Sequence, residues 1–544
     1  MTVEREARAG VRMALATTAA RLTGYGRSIL LVAALGNGLH ADVFAIANTI
    51  PNLLVVLLGA GVVNAVLVPQ LVRAHRSGDG PEYVNQVITL FGAVLLAATV
   101  AVTLAAPLVL RAFVTTALTR PELADQYRSA VALAFCCLPQ IFFYGVFALL
   151  GQILNSRGVF GPMMWAPVLN NLVAIGVLAT YLGTFGTSTT RCGGYSDGQV
   201  LLLGLGTTLG VVVQCAALVP YLRRAGIHYR PTLRLLSPRM RTTLRLGGWT
   251  IAVVLTNQVV YAGIVRLATS GTAGAGCAGG SAGTGYTIYS SAYLLIMAPH
   301  AVVTVSLMTA SLPGLALLAS SDDRHELAAR LTSALRLVML AIVPVSVLLA
   351  LLSPSVADLV WGYGTGTGSS QLFAPTLACF AVALLFFTAH YVALRGLYAL
   401  EANRVILGIQ AVIGVVDLGL AVVLVGATDR ALTAPALATA YAVAYAVGSA
   451  LSWSALRRRL GVGSARPAAG TLTRIGLSAA LAAIICLLAV RLTTGQWVLS
   501  PTSKADALLL TAAEVAVFGS VFLAAARTLR VPELRVLATA LRRQ

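Results

Sequence analysis

Apolar runs of about 20 residues or more alternate along the chain with short stretches rich in Arg, Gly, Ser and Pro, a spacing that predicts membrane-crossing helices. About fourteen spans follow, at roughly 12–36, 41–74, 84–112, 127–155, 160–183, 198–222, 244–268, 284–319, 330–353, 370–400, 405–427, 432–457, 470–492 and 506–526. The expected fold class is an all-α polytopic membrane protein. The second and eighth spans are longer than a bilayer is thick and carry Pro51 with Pro69 and Pro299 with Pro313, so each is expected to bend or protrude.

The longest basic loop, RRAGIHYRPTLRLLSPRMRTTLR, separates the sixth span from the seventh and divides the first twelve into two sixes. This predicts an N-terminal lobe over 1–225, a basic amphipathic linker over 226–243, a C-terminal lobe over 244–460, and two extra helices with a basic tail over 461–544. FFYGVFALLGQILNSRG in the fourth span has a weak echo in FFTAHYVALRGLYALEANR of the tenth, six spans later. Duplicated halves with broken helices suit a carrier whose site lies between lobes.

Composition supports the same class. Of 544 residues 58% are hydrophobic and 10% charged, with a mean hydropathy of +0.86, which no soluble core accommodates. The net charge of +20 comes from arginines concentrated in alternate loops, where topology and anionic lipid account for them without nucleic acid. Both termini are thereby expected on the cytoplasmic side of the plasma membrane. Met1 to Gly10 is charged and the apolar run behind it lacks a small-residue cleavage site, so the first helix is expected to stay. The sequence contains no HExxH, no phosphate-binding GxxxxGK[ST] and no CxxC pair, so a transporter driven by ion gradients, voltage or its substrate's own gradient is expected rather than an enzyme.

Polar groups inside the spans are the candidate chemistry, since a charge at a helix centre costs about 2.5–3.5 kcal/mol on insertion scales. In RLTGYGRSILLVAALGNGLHADVFAIANTIPNLL, Arg21 and Arg27 lie about 120° apart on an ideal helix. A bend at Gly24 and Gly26 would aim both guanidinium forks into one cavity suited to phosphate oxygens; the plainer reading has both snorkel to the surface. Asp42 is either a gating carboxylate or a first-turn cap. Asp417 lies near mid-membrane, where a lone carboxylate must be protonated or coordinated, and Glu514 poses the same problem. His300, His390 and Arg266 are ligands or, more simply, packed polar groups. Cys192 and Cys277 stand apart from five apolar-span cysteines, in Gly-rich loops on the expected outer side; they form either a disulfide or two free thiols.

Arg21 to Leu54, with QIFFYGVFALLGQILNSRGVFGPMMWAPVLNN, resembles the MviN/MurJ family, lipid II flippases of the multidrug and oligosaccharidyl-lipid exporter superfamily. The arginine-rich, lysine-poor composition further resembles a divergent, actinobacterial-type member. The resemblance implies alternating access, a cationic cavity between two six-helix lobes, and a tail groove formed by two extra helices. It implies substrate contacts at Arg21, Gly24, Arg27, Asp42 and Asn52. It also implies a sodium site drawing on Asp417, Thr439 and Asn257, with Na⁺ as the one cofactor. The implied partners are a lipid-linked anionic substrate, membrane lipids, and cell-wall synthesis or division proteins. This chain departs from the family pattern at Ser28, where aspartate is usual, at Val55 and Val56, where arginine follows PNLL, and at Tyr293 and Leu294, in place of an Asp-Arg pair. Those departures leave another polyprenyl-linked or lipid cargo, or a non-transporting scaffold, as alternatives to lipid II.

Overall fold

A computed structural model describes residues 2–56, 80–187, 193–232, 248–275, 283–321, 323–461, 466–494 and 503–534. Every regular element among them is helical. Contacts group the chain into two compact units, Met1–Thr287 with Tyr363–Gly366, and Ile288–Gly362 with Thr367–Gln544.

The first unit contains α1 (Thr2–Leu35), α2 (Leu39–Val55), α3 (Gly80–Leu104), α4 (Ala106–Phe113), α5 (Ala124–Cys137), α6 (Gln140–Ser156), α7 (Gly161–Phe185), α8 (Asp197–Ala216), α9 (Val219–Arg224) and α10 (Gly248–Ala275). The expected span 127–155 is two helices, α5 and α6, joined at Leu138 and Pro139, because proline cannot donate the next ladder hydrogen bond. α8 starts on a capping box: Ser196 Oγ accepts from Gln199 N at 3.4 Å while Gln199 Oε1 accepts from Ser196 N at 2.9 Å. α1 packs along α7, and α7 along α8. α10 contacts α2 and α4, and so groups with this unit.

The second unit contains most of α11 (Tyr286–Pro299), a π-helical turn at His300–Val305, then α12 (Ser306–Ser320), α13 (Arg324–Leu351), α14 (Ser353–Trp361), α15 (Phe373–Ala399), α16 (Asn403–Ala427), α17 (Thr433–Leu460), α18 (Arg466–Thr494) and α19 (Lys504–Thr528). The interruption expected in the eighth span takes the form of the π turn, which begins directly after Pro299. α15 packs on α17 and α13, α17 on α16, and α18 on α19. At Gly448 of α17 an added Cβ would collide with Ile413 of α16, the close approach that small residues permit between membrane helices.

Twelve helices among the described residues are long and apolar enough to cross a membrane. α1 stands outside that set because Arg21 and Arg27 interrupt its apolar run, and α2 is a shorter apolar helix. The extension of the second span through Pro69 falls outside the described residues, as does most of the expected linker over 226–243.

One side chain pins α1 to α7. Asn171 Nδ2 donates to Ala20 O at 3.0 Å and Thr23 Oγ1 at 3.2 Å. Replacing Asn171 by Leu should destabilise the protein by about 0.6–1.7 kcal/mol, the range measured for hydrogen bonds between membrane helices. Reversible denaturation in detergent checks this, and an unchanged midpoint would contradict it.

Candidate functional site

Asp42, in the first turn of α2, is a fully buried charge with three hydrogen-bond donors around it. Its Oδ2 accepts from Thr272 Oγ1 at 2.7 Å and from the backbone N–H of Tyr286 at 3.0 Å, and its Oδ1 from the N–H of Thr287 at 2.7 Å. Tyr286 and Thr287 are the first two residues of α11, so Asp42 caps the start of a helix remote in sequence. A helix start offers unpaired N–H donors and the positive end of the helix dipole, both suited to a buried carboxylate. Gly285 makes the approach possible, since a Cβ there would collide with Asp42 Oδ2. Tyr286 extends the junction by donating to Thr49 Oγ1 of α2 at 3.2 Å, with the Tyr261 hydroxyl 2.8 Å from its own.

Beside this clamp, Tyr195 stacks on His40 with ring centroids 3.6 Å apart and donates to His40 O at 2.7 Å. Burial, followed by the charges of Tyr181 and Asp42, pushes the Tyr195 phenol well above its ordinary range, so it remains a donor. Asp42 is thus enclosed by donors from α10 and from the start of α11. Asp42 is a first-turn carboxylate of α2, whose N-cap is Gly38, and it caps the start of α11 as well.

Arg27 is half-buried on α1, with its charge acting on Tyr144 of α6 and Cys137 of α5. Asn170 of α7 lies beside the Tyr144 hydroxyl and acts on it, and its Nδ2 donates to Gln214 Oε1 of α8 at 2.9 Å. This polar line crosses four helices. Arg21, also half-buried, acts on Tyr25 one turn along α1. Among the described residues neither arginine forms an ion pair. Gly24, between them, faces Asn171, and a Cβ added there would meet Asn171 Nδ2 at an ordinary 3.6 Å. Asn52 is exposed, and its carbonyl accepts from the N–H of Val56.

The three residues of the implied sodium site divide between the units. Asp417 on α16 is buried, and its Oδ1 has no hydrogen-bond partner among the described residues. Its charge acts on Tyr445 of α17. Thr439 donates to Pro435 O at 2.9 Å and toward Cys379 Sγ at 3.3 Å, which leaves oxygen lone pairs on its hydroxyl. An orphaned buried carboxylate oxygen and a hydroxyl are hard donors that fit Na⁺. Asn257 belongs to the other unit and is exposed.

His300 and His390 are packed polar groups. The Nδ1 of His300 lies 3.1 Å from Thr388 Oγ1, and the Nδ1 of His390 lies 2.9 Å from Ser452 Oγ. Arg266 donates to the carbonyl of Arg111 at 2.8 Å. Tyr293 contacts the rings of Phe380 and Tyr441, with centroids 5.6 and 5.8 Å away. Cys192 and Cys277, the candidate disulfide, lie outside the described residues.

Sequence reading missed Thr272, Gly285 and the start of α11 as partners of Asp42. The stretch GTGYT carried a faint signal, a glycine immediately before a helix start. It also missed Tyr144, Asn170 and Gln214, which are ordinary polar residues until the fold aligns them with Arg27.

Twelve helices of membrane-crossing length among the described residues, with charged side chains held inside such spans, define a polytopic membrane protein. The family described as "Lipid II flippase MurJ" matches residues 31–504, and the chain belongs to that family. A relative named "Probable lipid II flippase MurJ" from Rhizobium tropici is 28% identical over 393 residues, covering 72% of this chain and 70% of its own. The protein of the same name from Rhizobium meliloti (strain 1021) is 25% identical over 500 residues, covering 91% and 87%. The fold is similar to a structure titled "Lipid II flippase MurJ, inward closed conformation", with a TM-score of 0.71 at 15% identity over 95% of this chain and 99% of that one. It is also similar to an inward-facing multidrug resistance MATE family transporter of the MOP superfamily, with a TM-score of 0.65 at 15% identity over 82% and 98%.

Because Gly285 lies against the clamp, Gly285→Ala should destabilise the described conformation by roughly 1–3 kcal/mol, the usual cost of overpacking. Asp42→Asn should destabilise it as well, since an amide presents its own donors to the α11 amides. Thermal unfolding in detergent tests both, and a wild-type midpoint for Gly285→Ala would show that the clamp is loose.

Proposed function

We propose that this protein moves lipid II from the inner to the outer leaflet of the cytoplasmic membrane by alternating access, with both termini cytoplasmic. The observation that carries the reading is the pair of half-buried arginines on α1 without ion-pair partners among the described residues. Both precede the segment matched to the family, so their role rests on their own geometry. A guanidinium fork inside a membrane suits a pyrophosphate, which offers paired oxygens and enough charge to offset the arginine. Arg27, beside the polar line of Tyr144, Asn170 and Gln214, takes the headgroup, and Arg21 guides its entry. The hydrocarbon tail stays in the bilayer. With the cell interior negative, each negative charge carried outward across the full field gains about 2.3 kcal/mol per 100 mV.

The Asp42 clamp supplies the gating element. For the start of α11 to leave α2, the two amide hydrogen bonds to the buried Asp42 carboxylate and the Tyr286–Thr49 bond must break, and re-forming them resets the carrier. Coupling to Na⁺ would act through Asp417 and Thr439, where the cation would neutralise a carboxylate that lacks a hydrogen-bond partner at Oδ1.

A second reading, transport of another polyprenyl-linked or lipid cargo, draws on Tyr293. At the position expected to carry charge, the chain places an aromatic ring against Phe380 and Tyr441.

Replacing a bacterium's essential lipid II flippase with this gene tests the main reading. Wild-type protein should restore growth; failure despite correct insertion would favour the other cargo. Arg27→Ala should abolish rescue, Arg27→Lys should restore part of it, and Arg21→Ala should be milder, because Arg27 lies deeper and reaches water less easily. Full rescue by Arg27→Ala at normal protein levels would remove Arg27 from the site.

For the cation, thermal stability in NaCl is compared with that in choline chloride. Sodium should stabilise the wild type and lose that effect in Asp417→Asn. Equal shifts in both proteins, or none in either, count against the site.

A further inference from the structure

We propose that an anionic phospholipid of the bilayer occupies a cleft in the second unit, with its acyl chain among α13, α15, α17 and α18 and its phosphate on Arg457. The cleft has a volume of about 470 Å³, within the range of small-ligand sites. Its floor is apolar, built by Leu331 and Met339 of α13, Leu456 of α17 and Leu472 of α18. Its polar groups include Thr332, Ser454 and Arg457. Trp453 forms a fixed wall, because its Nε1 donates to Ala389 O at 3.0 Å.

Arg457 lies in the last turn of α17, the first of three consecutive exposed arginines. Among the described residues it forms no ion pair, and Glu326 of α13 is taken by Arg330. An apolar pocket with a cation at its mouth, at the basic end of a membrane helix, selects an amphiphile with an anionic head. A soluble anion would leave the floor unfilled, and a zwitterionic lipid would add no net charge to complement the arginine. Basic pockets between membrane helices hold lipid headgroups by this combination of forked hydrogen bonding and apolar burial. The occupant is a resident bilayer lipid whose head stays at the Arg457–Arg459 end, so the site is separate from the transport reading built on α1.

The test uses the full chain in nanodiscs of phosphatidylcholine with increasing phosphatidylglycerol, with the thermal unfolding midpoint as readout. Phosphatidylglycerol should raise the wild-type midpoint with saturation. In Arg457→Gln the half-saturating fraction should rise roughly fivefold, the factor expected from one cationic side chain near an anionic surface. Ala450→Phe, at an exposed position lining the cleft, should abolish saturation by blocking the acyl chain while leaving the midpoint in pure phosphatidylcholine near wild type. Arg458→Gln, next to the cleft but outside its lining, should behave as wild type. An equal loss in Arg458→Gln and Arg457→Gln would reduce the effect to general attraction between a basic surface and anionic lipid, and would overturn the site. So would saturation persisting in Ala450→Phe.

Discussion

A polar group inside hydrocarbon must find a partner within the protein, and this constraint governs both the fold and the candidate site. Helices satisfy the peptide groups within each span, which explains why every regular element described is helical. The exceptional points are helix starts, where amides remain unpaired. Asp42 meets the start of α11, so a carboxylate too costly to bury alone and two donors too costly to leave unpaired satisfy one another. Thr272 completes the set, and Gly285 provides the space.

The charged groups divide by whether the protein itself satisfies them. Asp42 is satisfied by three hydrogen bonds that tie α2 to α10 and to the start of α11. Arg27 and Arg21 lack ion-pair partners among the described residues, and the Oδ1 of Asp417 lacks a hydrogen-bond partner. In a transporter such groups are complemented by what passes through or binds, and a fully satisfied arginine would have no reason to release its partner for a headgroup. The contrast between Asp42 and Arg27 is thus between a charge that the protein satisfies with three hydrogen bonds and one that it leaves without an ion-pair partner among the described residues.

Arginine has a different role at the helix ends. Arg457 complements an apolar cleft on the second unit, where the bilayer supplies both the hydrocarbon and the phosphate. Arg266, by contrast, is spent on the carbonyl of Arg111.

The all-helical, polytopic class was legible in the sequence because membrane helices are specified locally: length, apolarity and interrupting prolines act within one segment. Pro299 announced the π turn, and Pro139 divided α5 from α6 although the apolar run across it reads as continuous. Arg27, Arg21 and Asp417 were visible for the same reason, since a charge in an apolar run stands out without any neighbour. The partner of Asp42 was not legible. Thr272, Gly285 and the α11 amides lie more than 200 residues away, and Thr272 and Gly285 are unremarkable in composition. Nor could spacing show that Asp42 is enclosed while Arg27 lies along the line of Tyr144, Asn170 and Gln214. Hydrophobicity decides that a segment enters the membrane; only the packing of segments decides which orphaned groups meet.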